Sequence, residues 1–388
     1  MMNLNNKITP EHEILIYCSH YPMDCETKTK VRSIVKGGLN WDYLIHMATF
    51  HKVRSILYFQ LHQVCQVKIP TYFLTDLNDF YHKNAIRNLL MFGELMKILE
   101  ILNSREIYAV PYKGPILAKS IYDGNITLRE FSDIDIFVNE KDVQEVKEVL
   151  LSKGYYCCFK KIPLELYNKF EREYTFINKI NDIKIEIQWD LFWKYFNFPN
   201  SIKDPFEIKD FRIIKIEELD VPNPSANDMF LILCIHSSEH LWRNLSLLAD
   251  LNSFINSHKL DWSFVLKNAS KLGVKRILFI NILLLHNLYG FQVPVVIADC
   301  LKFDKSSFSI TEIFLTNLFS QNELNFFYKV SIRIKLRENL KLGLKDILFE
   351  LFIPSVDNIN RIKLPIFLYY LYYILQPFQF AYKLLFRI

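Results

Sequence analysis

The 388-residue chain lacks any Cys-x-x-Cys pair. Its cysteines are odd in number, seven, and irregularly spaced. This argues against a structural zinc site and for a reduced, cytoplasmic compartment. The opening residues, MMNLNNKITPEHE, lack the apolar core of a signal peptide. The chain also lacks a basic stripe. Its net charge of +5 is mild and its Lys and Arg are scattered, so a long nucleic acid is not the expected partner. No apolar run is long enough to span a bilayer. The longest, Leu364 to Leu375, falls well short of the roughly 20 residues required, and Pro377 is expected to break it. No internal repeat or low-complexity tract is present.

What the chain does have is apolar and aromatic material, 51% and 15% of its residues. That is ample for a sizeable core, and the length suits two or three compact units. The pattern divides into a helical region over 1–104, a mixed core over 105–220 and a second helical region over 221–388. In the first, Trp41, Leu44, Ile45, Ala48 and Val53 follow helical spacing through LNWDYLIHMATFHKVRSILYFQLHQV. From about Leu77 to Leu102 the same rhythm places Ala85, Leu89, Leu90, Phe92, Leu95, Ile98 and Leu102 on an apolar face. In the core, Val143, Val146, Val149 and Leu150 make an amphipathic helix between a cap at Asn139 and a stop at Gly154. EYTFINK and DIKIEIQW read as a hairpin turning at Ile180–Asn181, and FRIIKI as another strand. Pro222 and Pro224 mark a boundary, and Ser225 caps the next helix.

The chemistry concentrates in IYAVPYKGPILAKSIYDGNITLREFSDIDIFV, residues 107–138. Asp133 and Asp135 are two apart, so on a strand they share a face while Ile134, Ile136 and Val138 enter the core. Two carboxylates side by side repel unless a cation lies between them; a pair of magnesium ions is the usual answer and implies phosphate chemistry. In DIKIEIQWDL, Ile183, Ile185 and Ile187 share one face, and Lys184, Glu186 and Gln188 the other. Glu186 is therefore the expected third carboxylate, as metal ligand or as base toward an acceptor hydroxyl, with Asp190 the substitute. Gly114 in the strand-to-helix turn lets the backbone approach a phosphate, and Pro115 suits the first helical position. Lys113 is either a phosphate contact or solvent-facing. Arg129 either reaches the triphosphate or fixes its loop through a salt bridge. Ser132 joins these candidates beside the aspartate strand. On a helix through ILCIHSSEHLWRNL, His236, His240 and Arg243 fall on one face. They are structural, or they bind phosphate or acceptor; no third zinc ligand accompanies the two histidines.

An ordered series carries a family resemblance. It comprises Lys113-Gly114, Tyr122, Arg129, Asp133-x-Asp135, Gly154-Tyr155, Glu186 with Trp189, His236-x-x-x-His240-x-Trp242 and Leu248-Ala249-Asp250. The chain resembles the nucleotidyltransferase superfamily built on the DNA polymerase beta-like catalytic fold. It is similar, closer still, to a group of bacterial nucleotidyltransferases of roughly this length. The resemblance implies an α/β (α+β) fold: a polymerase beta-like core with a small mixed sheet, flanked by helical regions. It also implies transfer of a nucleoside monophosphate from a nucleoside triphosphate, with release of pyrophosphate. Two Mg2+ ions would be held by Asp133, Asp135 and Glu186. The acceptor, a small molecule, a peptide or a protein, is not named. The chain departs from the wider superfamily in having Lys-Gly-Pro where Gly-Gly or Gly-Ser is common.

Two other readings are open. One is a catalytically weak nucleotide-binding regulator. The other is a protein acting at the inner membrane surface through LPIFLYYLYYILQPFQFAYKLLFRI, residues 364–388, where tyrosines with Lys383 and Arg387 suit an interfacial segment. The alternative for that segment is a helix packed on the protein or on a second subunit.

Overall fold

In the alternating segment DIDIFV every second side chain is aliphatic, and burying that face makes it a central strand. The computed structural model describes residues 8–64, 69–158, 167, 171–192, 196–199, 202, 206, 211–320, 324–354, 356, 359, 362 and 364–386. The sequence readings at Cys65 and Arg387, and at the Lys383 side chain, lie outside the described residues. Strands β1 (Ala109–Pro111), β2 (Asp133–Val138), β3 (Tyr155–Cys157), β4 (Glu173–Asn178) and β5 (Lys184–Gln188) form one sheet in the order β1-β2-β5-β4-β3. β2 and β5 are parallel; the other neighbours are antiparallel. Ile134, Ile136, Val138, Ile185 and Ile187 are fully buried on the core side.

Helices α1 (Pro10–Cys18), α2 (Cys25–Gly37), α3 (Trp41–Phe50), α4 (Arg54–Val64) and α5 (Thr71–Asn103) precede the sheet. Within it lie α6 (Gly114–Ile121), after β1, and α7 (Val143–Ser152), after β2. A two-stranded sheet of β6 (Arg212–Ile216) and β7 (Leu219–Asn223) follows. Then come α8 (Ala226–Glu239), α9 (Leu245–Ser257), α10 (Trp262–Leu272), α11 (Lys275–Tyr289), α12 (Val295–Leu301) and α13 (Lys305–Asn317). α14 (Phe326–Lys335), α15 (Leu340–Phe352) and α16 (Leu371–Phe386) end the described chain. One hydrophobic core runs from the N-terminal helices through the sheet into α8–α11.

Several expectations meet a different outcome. The segment read as continuously helical around Trp41–Val64 is broken: Lys52 adopts φ 55°, separating α3 from α4. The reason is tertiary. His51 accepts from the Leu245 backbone N–H through Nδ1 (3.1 Å) and from the Ser246 N–H through its carbonyl (3.2 Å), docking the corner on the start of α9. On α5, Leu95, Ile98 and Leu102 are buried as the rhythm requires, but Leu89 and Leu90 are more than half exposed and Asn84 and Asn88 turn inward instead. The Asn88 amide donates to the Ile126 and Arg129 carbonyls at 2.7 and 2.9 Å, and Asn84 donates to Thr127 O and Arg129 O at 3.0 and 3.1 Å. Polar residues win that face because the loop entering β2 brings unpaired carbonyls there. Pro222 lies inside β7 opposite Ile213, as a two-stranded sheet needs no donor on its outer side, while Pro224 falls between the end of β7 and the start of α8. Pro377 sits inside α16 instead of breaking it. Among the described residues no helix is long and apolar enough to cross a membrane.

Removing the Asn88 amide leaves the buried Ile126 carbonyl without that donor, while the Arg129 carbonyl keeps Asn84, so Asn88→Ala should lose about 1–3 kcal/mol in denaturant unfolding. Leu89→Lys on the same helix should stay within about 0.5 kcal/mol of the native chain.

Candidate active site

The in-register pairing of β2 with β5 sets Asp133 opposite Lys184 and Asp135 opposite Glu186. The antiparallel pairing of β4 with β5 sets Glu173 opposite Gln188. Opposed residues share a sheet face, so Asp133, Asp135, Glu186 and Glu173 stand together on the face away from the isoleucines. This face floors a cleft of about 700 Å³. All of Lys113, Gly114, Arg129, Ser132, His236 and His240 border the same cleft. The structure thus brings together every residue singled out in the sequence as a primary site candidate. Asp190 also borders it, beyond the end of β5 and 3.6 Å from Arg172.

The acidic face is held by its own polar groups. Gln188 Nε2 faces Asp135 Oδ1 at 3.0 Å and Glu173 Oε2 and Glu186 Oε2 at 3.3 Å each. The buried Tyr112 hydroxyl donates to Gln188 Oε1, which turns the amide nitrogen toward the carboxylates. Lys184 donates to Glu186 and lies 3.7 Å from Asp133 Oδ2, which also accepts from the Ser132 hydroxyl at 3.1 Å. Burial, together with Asp133 and Glu186, pushes the Asp135 carboxyl up to about 6 despite Lys113. Burial and the neighbouring Glu186 and Asp135 push Glu173 up to about 7. Among the described residues no three His, Cys, Asp or Glu side chains converge as a ready metal-ligand set. The donors are nonetheless all carboxylate oxygens on one crowded face, the chemistry that suits magnesium rather than zinc.

Gly114 opens α6 at φ 55°, and a Cβ there would lie 3.1 Å from the Asp133 carbonyl. Glycine is thus required both for its backbone and for the close approach of this turn to β2. Pro115 takes the second helical position rather than the first. The Lys113 ammonium lies 4.8 Å from the centre of the Tyr112 ring. Arg129 resolves to the loop-fixing alternative: its Nε donates to Asp250 Oδ2 at 2.9 Å, with both side chains nearly buried. Burial works against the Arg129 charge, and Asp250 outweighs it, so the guanidinium stays charged.

His236, in the last turn of α8, and His240, just beyond it, have ring centres 4.7 Å apart in a T-shaped contact. Burial and then Lys113 lower both imidazoles from their ordinary range, so both are neutral near pH 7. The expected His236–His240–Arg243 face does not form. Leu241 and Trp242 adopt φ 50° and 47°, the helix ends, and Arg243 turns to the Phe50 ring, 5.5 Å away. The indole N–H of Trp242 donates to buried Asn281 at 2.7 Å, anchoring the corner that diverts the chain.

Sequence reading gave no place in the site to Glu173, Tyr112 or Lys52, put Gln188 on the Glu186 face without a role, and had Asp250 only in the family series. Folding the β4–β5 hairpin about its turn would have exposed the Glu173–Gln188 pairing. Lys52, in the corner between α3 and α4, and Asp250, on α9, arrive from parts of the chain remote from the sheet.

With no divalent cation, ionising Asp135 costs stability as pH rises from its ordinary range near 4 through about 6. Asp135→Asn should therefore match the native chain in denaturant unfolding below about pH 4 and exceed it above about pH 6.

The comparisons with curated proteins and with solved structures gave no match. A family model described as "Uncharacterised nucleotidyltransferase" matches residues 37–290, the span from α3 through α11 that contains the whole sheet and both histidines. With about two thirds of its length in that match, the chain belongs to this nucleotidyltransferase family.

Proposed function

We propose that the chain is a metal-dependent nucleotidyltransferase with a DNA polymerase beta-like core. It moves a nucleoside monophosphate from a triphosphate to a small-molecule, peptide or protein acceptor. The observation that carries this reading is the register of β2 against β5, which sets Asp135 beside Glu186 inside the family match. An acceptor hydroxyl oxygen attacks the α-phosphorus, the bond from that phosphorus to the bridging oxygen of the β-phosphate breaks, and pyrophosphate leaves. The hydroxyl proton passes to a carboxylate or to water. Asp133, Asp135 and Glu186 would hold two Mg2+ ions. When bound, these ions supply charge stabilisation at the attacking and leaving oxygens.

The chain's own residues bind and orient. The Gly114 turn brings the start of α6 against β2, where backbone N–H groups and the helix dipole favour a phosphate. Lys113 adds a positive charge beside it. Ser132 orients Asp133 through its hydroxyl. Arg129, tied to Asp250, holds the loop before β2 and leaves its positive field in the cleft. His236 and His240, being neutral, act as hydrogen-bonding groups toward donor or acceptor rather than as cations.

Melting of the native chain with each of ATP, GTP, CTP and UTP, with and without magnesium, tests this. One triphosphate at about a hundred times its dissociation constant should add roughly 2.7 kcal/mol. The shift should require magnesium and vanish in Asp133→Ala/Asp135→Ala. A shift that survives in the double variant would favour the nucleotide-binding regulator instead.

A second, compatible reading concerns the C-terminal helices, where α15 packs against α16. On α15, Leu340, Leu344, Leu348 and Phe352 form an exposed stripe, and Tyr370, Ile374, Phe378 and Tyr382 form another along α16. Residues 326–388 hold ten Lys and Arg against four Asp and Glu, a net +6 where the whole chain has +5. That positive balance of the segment suits an anionic bilayer surface. Vesicles containing phosphatidylglycerol should co-sediment the chain at low salt. Phosphatidylcholine vesicles should not, and Leu344→Glu/Leu348→Glu should abolish the effect.

A further inference from the structure

Lys184 occupies an unusual place among the acidic groups. It lies on β5 opposite Asp133 in the parallel register, and alternation puts it on the same face as Glu186. Its ammonium donates to Glu186 Oε1 and lies 3.7 Å from Asp133 Oδ2. A positive charge thus sits between two of the three carboxylates assigned to magnesium. The third, Asp135, is held by the Gln188 amide.

We infer that Lys184 is a built-in counter-ion that neutralises the acidic face when no divalent cation is bound, and that the cation must displace it from Asp133 and Glu186. This rests on the metal-dependent reading above and deepens it. Three features support an exchange. A lysine ammonium is a compact point charge on a flexible stem, so it can leave by changing rotamers. Its side chain is 39% exposed and Asp133 is 28% exposed, so water can receive the departing charge and the contact to Asp133 holds it only weakly. Lys184 is the first residue of β5 and does not border the cleft, so it reaches the carboxylates from the end of the strand. Carboxylates drawn toward a lysine and an amide also explain why the donors, although on one face, do not converge as a ready ligand set. In this arrangement Lys184 is a positioning residue. It bridges Asp133 and Glu186, and it weakens cation binding by competition.

The test is the affinity of the metal itself. Mn2+ binding is measured by electron paramagnetic resonance and calorimetry, with no nucleotide present, on the native chain, Lys184→Met, Lys184→Gln and Lys184→Arg. Losing a competitor held by two partly exposed contacts should tighten Mn2+ binding about three- to thirtyfold in the Met and Gln variants. Lys184→Arg keeps the charge and should remain within about twofold of the native chain. The magnesium-induced melting shift should be larger in the Met variant, because its metal-free state has lost the counter-ion. Equal or weaker Mn2+ affinity in both uncharged variants overturns the inference while leaving the transferase reading intact. Absence of Mn2+ binding in the native chain and in every variant overturns both. The Gln variant keeps a hydrogen-bond donor, so a folding failure confined to Met does not remove the measurement.

Discussion

Crowding of carboxylates along one parallel strand pair is the constraint around which the centre of this protein is arranged. β2 and β5 lie in register with Asp135 beside Glu186, and β4 adds Glu173 opposite Gln188. Like charges at such spacing are costly in a partly buried setting. The fold answers in three ways. Burial keeps Asp135 and Glu173 protonated to higher pH than usual. A glutamine held by a buried tyrosine spreads its amide over three carboxylates. A lysine reaches Asp133 and, with the glutamine, Glu186. A structural strand would gain nothing from this concentration of charge, which is why the face reads as a site for cations and phosphate rather than as framework.

The cleft above that face belongs to the whole molecule. Lys52 comes from the corner between α3 and α4, and the asparagines of α5 fasten the loop that leads into β2. Arg129 on that loop is held from the other side by Asp250 of α9. Histidines from α8 close the rim. The two helical regions therefore hold the loop before β2 between them. A change that loosens either region reaches the aspartates through hydrogen bonds to two consecutive parts of the loop, Ile126–Thr127 and Arg129. Stability and site geometry are coupled here through a short list of polar contacts, most of them to backbone carbonyls.

Much of the centre was legible in the sequence because strand alternation is a local rule. Placing Asp133 and Asp135 on one face, and Glu186 with Lys184 and Gln188 on another, needs only a period of two. The hairpin of β4 and β5 and the cap at Ser225 are equally local. Errors arose where a distant partner overrode a local preference. Leu89 and Leu90 fit an apolar helical face, yet the loop carbonyls required Asn84 and Asn88 there. Arg243 followed helical spacing from His236, yet the Trp242–Asn281 contact ended the helix first.

The sequence by itself determined which side chains could share a face, where the Lys113-Gly114 turn would fall and which family pattern the chain follows, since all three depend on neighbours within a few residues or on their order. Only the tertiary structure decided that Arg129 is spent on Asp250, that Glu173 joins the acidic face and that Lys184 lies against Asp133. Each of those contacts depends on strand pairing or helix packing between segments dozens of residues apart, and a pairing register is a property of two strands together rather than of either one.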